Sequence, residues 1–413
     1  MISQGLTLVS SIVTARLLGS TGFGEYGMIN STVGMFGTFA GFGLGLTTTK
    51  FVAELRTSDP ERAGRIIELT SIVAALSGGL ISLGLFLFAP LLATHTLAAP
   101  QLVSELRMSS LLLFFNALIG VQTGTLAGFE AFRTIAKLSL AKGLLSFPLM
   151  IAGVLTWRLP GAVLGLVAAS FIGWLINNLI LRKKSRDAGI RATYVGVWRE
   201  GRVLWSFAFP AFLANASVGP VTWMVNALLI NRPRGYSEMG VFNAAYQWRT
   251  AMIFLPTLIG QVVMPMLSSL QGEKGRQSAR KILLGATLLN ALFVLPALLP
   301  ILFLSNRIMA FYGPGFASRG MVLLVTALTA GLYAIETPVG DIIAASGRMW
   351  LAALINLGWA CVFVGSAWFF LRIGWGADGL AAAYLIAYSV HATWTFWLAR
   401  RIVVDGYTRR IPL

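Results

Sequence analysis

Among the ionisable side chains that stand inside runs of apolar sequence long enough to cross a bilayer, Arg249, Glu336 and Asp341 are the sharpest clues. Charge in hydrocarbon is costly unless it meets water or a partner, so such residues mark sites more readily than scaffold. Arg249 lies about ten residues inside its run and offers a planar fork of N–H donors suited to an anion. A carboxylate in the same setting can carry a proton or a small cation, or it can pair with a basic neighbour, and both readings stay open for Glu336 and Asp341. These two are five positions apart, about 140° around a straight helix, so they do not form a shared carboxylate site unless Pro338 between them bends the geometry. Arg16 and Lys50 end apolar runs on opposite sides, where a long side chain can snorkel to the interface or face a polar path. Lys142 also falls within a run.

Other constellations fall away on context. GFGEYG, residues 22–27, matches the dinucleotide fingerprint letter for letter. That fingerprint needs a strand before it and a soluble helix after it. Here it bridges two apolar runs and reads as a tight inter-helix turn. No G-x-x-x-x-G-K-[ST] occurs, so nothing points to ATP hydrolysis and no cofactor is called for. The lone Cys361 excludes an intramolecular disulfide and a cysteine metal cage, and it reads as packing. His95 and His391 lie far apart in sequence, which argues against a histidine metal site. No catalytic group and no metal ligand set is assigned.

The elements that must position these residues are membrane helices. Of 413 residues, 56% are hydrophobic and 11% charged, against about a quarter charged in soluble domains. Mean hydropathy is +0.77. The runs lack the strict alternation of barrel strands. Helices are expected near 2–18, 26–49, 66–92, 108–128, 138–157, 161–181, 203–230, 239–268, 282–304, 321–346, 350–371 and 379–399. The fold class is therefore an all-α polytopic membrane protein with about twelve transmembrane helices. The first run lacks the basic start of a cleavable signal. The formal charge of +17 is distributed topologically. One alternate set of connections holds twenty-two basic residues, among them seven between Arg182 and Arg202, and the other holds eight. The positive-inside rule puts the richer set, and both termini, in the cytoplasm, and nucleic-acid binding is not implied.

The chain is also built twice. GFGEYGMIN at 22–30 and GYSEMGVFN at 235–243 share Gly22/Gly235, Glu25/Glu238, Gly27/Gly240 and Asn30/Asn243, with Phe23 and Tyr236 both aromatic. GAVLGLVAAS at 161–170 is echoed by GADGLAAAY at 376–384 at nearly the same offset. Six helices per half makes the copies parallel repeats. The expected organisation is a six-helix bundle over 1–181, a basic cytoplasmic linker over 182–202, a second six-helix bundle over 203–399 and a cytoplasmic tail over 400–413. In a two-bundle transporter the substrate site lies between the bundles, and rocking alternates access to it. The glycines at 34, 37, 41, 43 and 45 suggest close helix packing. Pro256, Pro265, Pro296, Pro300 and Pro338 fall in spans and make the second bundle the expected seat of bending. KFVAELRTSDPERAGR reads as a solvated interfacial helix.

TARLLGSTGFGEYGMINS, followed by GFGLGLTTTKFVAELR and DPERAGRII, resembles the polysaccharide-transporter branch of the multidrug/oligosaccharidyl-lipid/polysaccharide flippase superfamily. The resemblance runs along the chain and is most specific at ARLLG…GFGEYG, although members usually carry more residues ahead of that segment. It implies two six-helix bundles in a bacterial or archaeal cytoplasmic membrane, surrounded by membrane lipids. The cargo it implies is a polyprenyl-diphosphate-linked oligosaccharide, with possible association with the polysaccharide polymerase machinery.

On that footing Arg249, Arg16 and Lys50 are the candidate substrate-binding residues, and Glu336 and Asp341 the candidate ion-coupling residues. The repeat offset carries Arg249 onto Phe36, Arg16 onto Leu229 and Lys50 onto Val263. Since these charges were not copied with the scaffold, helix geometry alone does not demand them. The expectation is that Arg249 contacts the diphosphate. A cation-coupled multidrug exporter of the same superfamily is the alternative, kept open by Glu336 and Asp341 and opposed by Arg249. A membrane glycosyltransferase or polymerase would need a larger outer domain than these short connections provide.

Overall fold

The computed structural model describes the backbone of residues 2–190, 193–268, 272–345 and 349–405. Every regular element among them is helical. Eight stretches are long and apolar enough to cross a membrane: 4–41, 60–96, 100–128, 132–187, 197–230, 277–310, 320–343 and 350–372. Their outer faces carry bare apolar side chains, such as Leu80 at 71% and Phe303 at 79% exposure. Water would not tolerate such faces, and lipid does. The chain is a multi-pass membrane protein. Of the basic residues counted above, Arg191, Arg348, Arg409 and Arg410 lie outside the described residues, as does the tail beyond Asp405.

Two of the long helices are folded back on themselves. The first, α1 (Ile2–Gly41), departs from helical geometry at Gly19, φ 74° and ψ 176°, a conformation open to glycine. Thr14 Oγ1 and Tyr26 OH both reach Met150 Sδ, at 3.8 and 3.5 Å. Twelve residues of straight helix would separate them by about 18 Å, so the chain reverses at Gly19. The reversal therefore sits three residues before GFGEYG, which is helical throughout; the expectation of a turn at 22–27 is corrected. Further on come α2 (Leu44–Leu55), α3 (Pro60–Leu91), α4 (Val103–Gly128) and α5 (Phe132–Asp187). Inside α5 the break falls at Trp157 and Arg158, the latter at φ 51°. A Cβ on Gly153 would strike the Gly161 carbonyl, and one on Gly161 the Gly153 carbonyl. The two arms of α5 thus pack backbone to backbone through glycines, and large side chains there would force them apart.

Between α1 and α2 the helix is broken at Phe42 and Gly43, with φ of 42° and 67°. A Cβ at Gly43 would lie 2.6 Å from the Ala208 carbonyl oxygen, so the glycine serves both the turn and a close approach. Where a single interfacial helix was expected after Lys50, the structure has a helix end, a turn and a helix start. Asp59 caps α3 by accepting the Arg62 N–H at 2.9 Å, and Pro60 fills the first position, where its missing N–H costs nothing. The basic segment after α5 is tied down: buried Glu200 accepts from Arg62 Nε at 3.0 Å and lies 3.4 Å from Arg65 Nη2.

The contacts gather into two groups. One holds Met1–Leu18 with Glu25–Asn231; the other holds Gly19–Gly24 with Arg232–Leu413. The first ends with α6 (Phe209–Asn215) and α7 (Val218–Ile230), and α7 bonds to α1 through Trp223 Nε1 to Thr32 Oγ1 and Asn226 Nδ2 to Ser31 Oγ, both 3.0 Å. The second is built of α8 (Gly235–Ser268), α9 (Gly272–Ala310), α10 (Gly320–Ala345), α11 (Met349–Arg372) and α12 (Gly376–Asp405), with α10 packed against α8, α9 and α12. Pro296, Pro300 and Pro338 lie inside α9 and α10. Non-helical φ/ψ values inside helices occur at Gly19 and at Trp157–Arg158. Cys361 is exposed on α11 rather than packed inside.

The two copies of the repeat meet in the second group. A Cβ on Gly24 would strike the Tyr236 carbonyl, and one on Gly240 the Ser20 carbonyl, while Ser20 and Ser237 share a 2.8 Å hydrogen bond. This is the small-residue crossing that membrane helices use where there is no hydrophobic force to drive association. Each repeat glutamate also reaches the connection that leads into α4 or α10. Glu25 accepts from Gln101 Nε2 at 3.0 Å. Glu238 takes Arg319 in a two-pronged bond, at 2.9 and 2.6 Å, together with the Ala377 N–H at 2.7 Å. Burial pushes the Glu238 carboxyl up, but the Arg319 bonds, the Ala377 N–H and nearby arginine charge outweigh it and hold it below the usual carboxylate range.

Candidate functional site

Arg249 is carried by α8 and is 4% exposed. Its guanidinium carbon stands 5.3 Å from the ring centre of Tyr246, 5.4 Å from Tyr333, 5.8 Å from Tyr384 and 5.2 Å from Tyr388. Three helices supply this collar: Tyr246 one turn before the arginine on α8, Tyr333 on α10, and Tyr384 with Tyr388 on α12. The last two are four residues apart, hence on one helix face. They stack at 6.2 Å and 13°. Phe242, Trp359 and Phe363 back the collar, with Phe363 and Tyr384 ring centres 4.2 Å apart.

No carboxylate pairs with Arg249 among the described residues. Its Nη1 lies 3.5 Å from the Tyr246 hydroxyl, and its buried Nε has no hydrogen-bond partner. Ring faces at this range attract a cation by about 0.5–2 kcal/mol each, and more strongly where water is excluded. Among the described residues a positive charge is thus held in the span by aromatic quadrupoles and one long hydrogen bond to a tyrosine hydroxyl, with most of its N–H donors unspent. Chemically, that is an anion-accepting group under an aromatic cover.

Glu336 does not neutralise the arginine. It lies on α10, 3% exposed, and its Oε1 is bonded to His391 Nδ1 and accepts from Thr395 Oγ1 at 3.2 Å. His391 Nε2 in turn is 3.3 Å from Asn356 Oδ1, while Glu336 Oε2 is buried and unbonded. A proton on this pair can sit on either residue within one hydrogen bond. Asp341 faces another neighbour. Its Oδ2 lies over Gly260 of α8, where a Cβ would come within 3.2 Å, and it has no hydrogen-bond partner. The two carboxylates therefore occupy separate surroundings, as their spacing requires.

Arg16 and Lys50 belong to the first group. Arg16 is exposed beside the Gly19 reversal. Lys50 is exposed on α2, with its ammonium 4.5 Å from the Phe207 ring and 5.0 Å from that of Phe51. Neither pairs with a carboxylate among the described residues. Sequence reasoning missed the tyrosine collar and the His391–Glu336 pair. The signal was present in α12, where Tyr384, Tyr388, His391 and Thr395 repeat at intervals of four, three and four, a polar stripe along one face of an apolar helix.

Comparison with known proteins agrees with this architecture. The profile of a family described as "Polysaccharide biosynthesis protein" matches residues 1–271. The EPS I polysaccharide export inner membrane protein EpsE of Ralstonia nicotianae is 25% identical over 405 residues, covering 94% of this chain and 88% of its own. Among solved structures, the inward-facing form of a multidrug resistance MATE family transporter of the MOP superfamily superposes with a TM-score of 0.76 at 14% identity, covering 99% of this chain and 96% of that one. The lipid II flippase MurJ, in an inward closed conformation, gives 0.74 at 14% identity over 98% of this chain and 87% of its own. At that identity the likeness is one of fold.

Proposed function

The chain belongs to the polysaccharide biosynthesis protein family, and from that membership we propose that it is a flippase for a polyprenyl-diphosphate-linked oligosaccharide, the repeat unit of a polysaccharide. It carries this cargo across the cytoplasmic membrane by alternating access. The observation that carries the reading is Arg249, a buried cation with no carboxylate partner among the described residues and an orphaned Nε. A diphosphate supplies the missing negative charge and accepts the bidentate bonds that an arginine fork is shaped to give. The tyrosines cover the charge while no cargo is bound and offer stacking faces to sugar rings when they part.

In this reading the chain crosses the membrane twelve times. The fold-backs at Gly19 and at Trp157–Arg158 turn two of the eight long stretches into four arms. With α8 and α12 these make twelve, six in each half of a duplicated chain. The parallel reach of Glu25 and Glu238 toward the connections entering α4 and α10 supports the duplication. The twenty-two-to-eight basic bias favours cytoplasmic termini and a cytoplasmic 182–202 segment. The His391–Glu336 pair is the candidate for coupling to a proton gradient, with Asp341 a second carboxylate on the same helix.

Purified protein in proteoliposomes tests the reading directly. Flipping of a polyprenyl-diphosphate oligosaccharide, read by accessibility of its glycan to an added lectin, is the expected result. Transport of a cationic drug with no effect on lectin accessibility would overturn it in favour of a multidrug exporter.

A further inference from the structure

Lys142, on the first arm of α5, is the other cation set within a span, and none of the chemistry above uses it. It is half-buried, about 15 Å along the arm from Phe132, and lines an open pocket between α4 and the two arms of α5. Three further polar side chains line the same pocket: Thr123 from α4, Ser139 one turn before the lysine, and Asn177 from the second arm. The rest of the wall is aliphatic apart from Gly173, with Leu126, Leu145 and Ile176 prominent. Asn177 is 7% exposed. No hydrogen bond or ion pair occupies any of the four polar side chains among the described residues.

Many helical hydroxyls here bond to a carbonyl one turn back, as Thr125 does on Val121 and Thr156 on Ala152. Thr123 and Ser139, like Ser11 and Thr326 elsewhere, do not. The Asn177 amide, though its residue is buried, is not among the enclosed orphan atoms and so opens on the pocket, while an ammonium in hydrocarbon without an anion is costly. One cation, two hydroxyls and an amide with free bonding capacity, beside an aliphatic wall, together describe the complement of an amphiphile with an anionic head.

We propose that this pocket binds a phosphorylated lipid, its phosphate oxygens on Lys142, Asn177, Thr123 and Ser139 and its chain along the aliphatic wall. The site lies within the first contact group and stands whether or not the flippase reading holds. The shared chemistry is a phosphate on an apolar tail, which both a bilayer phospholipid and a polyprenyl diphosphate possess. The repeat offset places Ile355 opposite Lys142, so the second half carries no copy of the charge.

Native mass spectrometry of the full-length protein, titrated separately with phosphatidylglycerol, undecaprenyl diphosphate and diacylglycerol, tests the proposal. One tightly bound phosphatidylglycerol per chain is expected, and undecaprenyl diphosphate should occupy this pocket in addition to any copy held at Arg249, with diacylglycerol at least about tenfold weaker because it lacks the charge-assisted bonds. Preference for phosphatidylglycerol would make the site a structural lipid site, and preference for undecaprenyl diphosphate a docking site for the cargo's own anchor. Lys142→Met should lose about tenfold in affinity, Lys142→Arg should retain it, and the near-isosteric Thr123→Val should weaken it by a few-fold. Diacylglycerol binding as tightly as the phosphorylated lipids in the unmutated protein would overturn the proposal without reference to any variant. So would Lys142→Met binding phosphatidylglycerol and undecaprenyl diphosphate as well as the unmutated chain.

Discussion

Arg249→Met separates what the arginine contributes to stability from what it contributes to transport. Four ring faces at 5.2–5.8 Å surround the guanidinium. At about 0.5–2 kcal/mol each they would total about 2–8 kcal/mol if they added. They do not add fully, because one planar cation has only two faces to share among four rings. Against them stands a cost of about 2.5–3.5 kcal/mol for an arginine at mid-span. The opposing contributions nearly cancel, so the variant should insert and fold with a stability change within about 2 kcal/mol, read by melting in detergent. Methionine keeps an unbranched apolar stem in the collar and removes only the charged fork. Transport should respond differently. Two charge-assisted bonds to a diphosphate are each worth about 1.5–3 kcal/mol. Their loss corresponds to about 10²–10⁴ in cargo affinity. Lectin-detected flipping should therefore fall below about 1% of the unmutated rate. Arg249→Lys should retain an intermediate rate, since it keeps the charge and loses the fork. An Arg249→Met protein that flips cargo at the full rate would refute the assignment. One that fails to fold would show that the cation is there to hold the collar together.

Three further outcomes follow from named contacts. Glu336→Gln and His391→Gln should each abolish gradient-driven transport while leaving exchange at equal pH on both sides intact; unchanged driven transport in both would reduce the pair to a structural clasp. Gly240→Val should lower the melting temperature sharply, by an overpacking cost of about 1–3 kcal/mol or more, because its Cβ meets the Ser20 backbone, whereas Gly5→Ala, with open space around it, should be neutral. Glu238, whose folded carboxyl is held down chiefly by Arg319 against the push of burial, stabilises the fold above its unfolded value of about 4.3. That contribution disappears as pH falls through the lower folded value. Asp378, raised by burial, opposes the trend in part. Arg319→Met should flatten the dependence of melting temperature on pH between about 3 and 5, and an unaltered profile would mean that the bidentate pair contributes nothing.

Much of the scaffold was legible because hydrocarbon imposes a simple rule: a backbone without water must close its own hydrogen bonds, so long apolar runs become helices. The places where the rule misled are those where one residue decides the backbone. Gly19 reverses the chain three positions before the glycine-rich motif that drew attention, whereas the turn at Trp157–Arg158 falls beside the gap between the expected helices 138–157 and 161–181. Phe42 at φ 42° is harder still, since a bulky residue rarely adopts that conformation.

The site divides along the same line. A lone charge in an apolar run can be seen in one dimension, which is why Arg249, Glu336 and Asp341 stood out. Their partners could not be seen that way, because partnership is made by helix packing over long separations: Glu336 and His391 are fifty-five positions apart. His391 looked isolated when the test was proximity in sequence to another histidine. It looks otherwise when the test is periodicity. Tyr384, Tyr388, His391 and Thr395 form the sort of stripe that a lipid-facing helix has no reason to keep, since every polar group on it must find a partner or forfeit a hydrogen bond. The same reasoning separates the two intramembrane cations. Arg249 is met by such a stripe and by the rings of two other helices. Lys142 is met by hydroxyls and an amide that keep bonds to spare among the described residues, which is why the complement we propose for it comes from outside the chain.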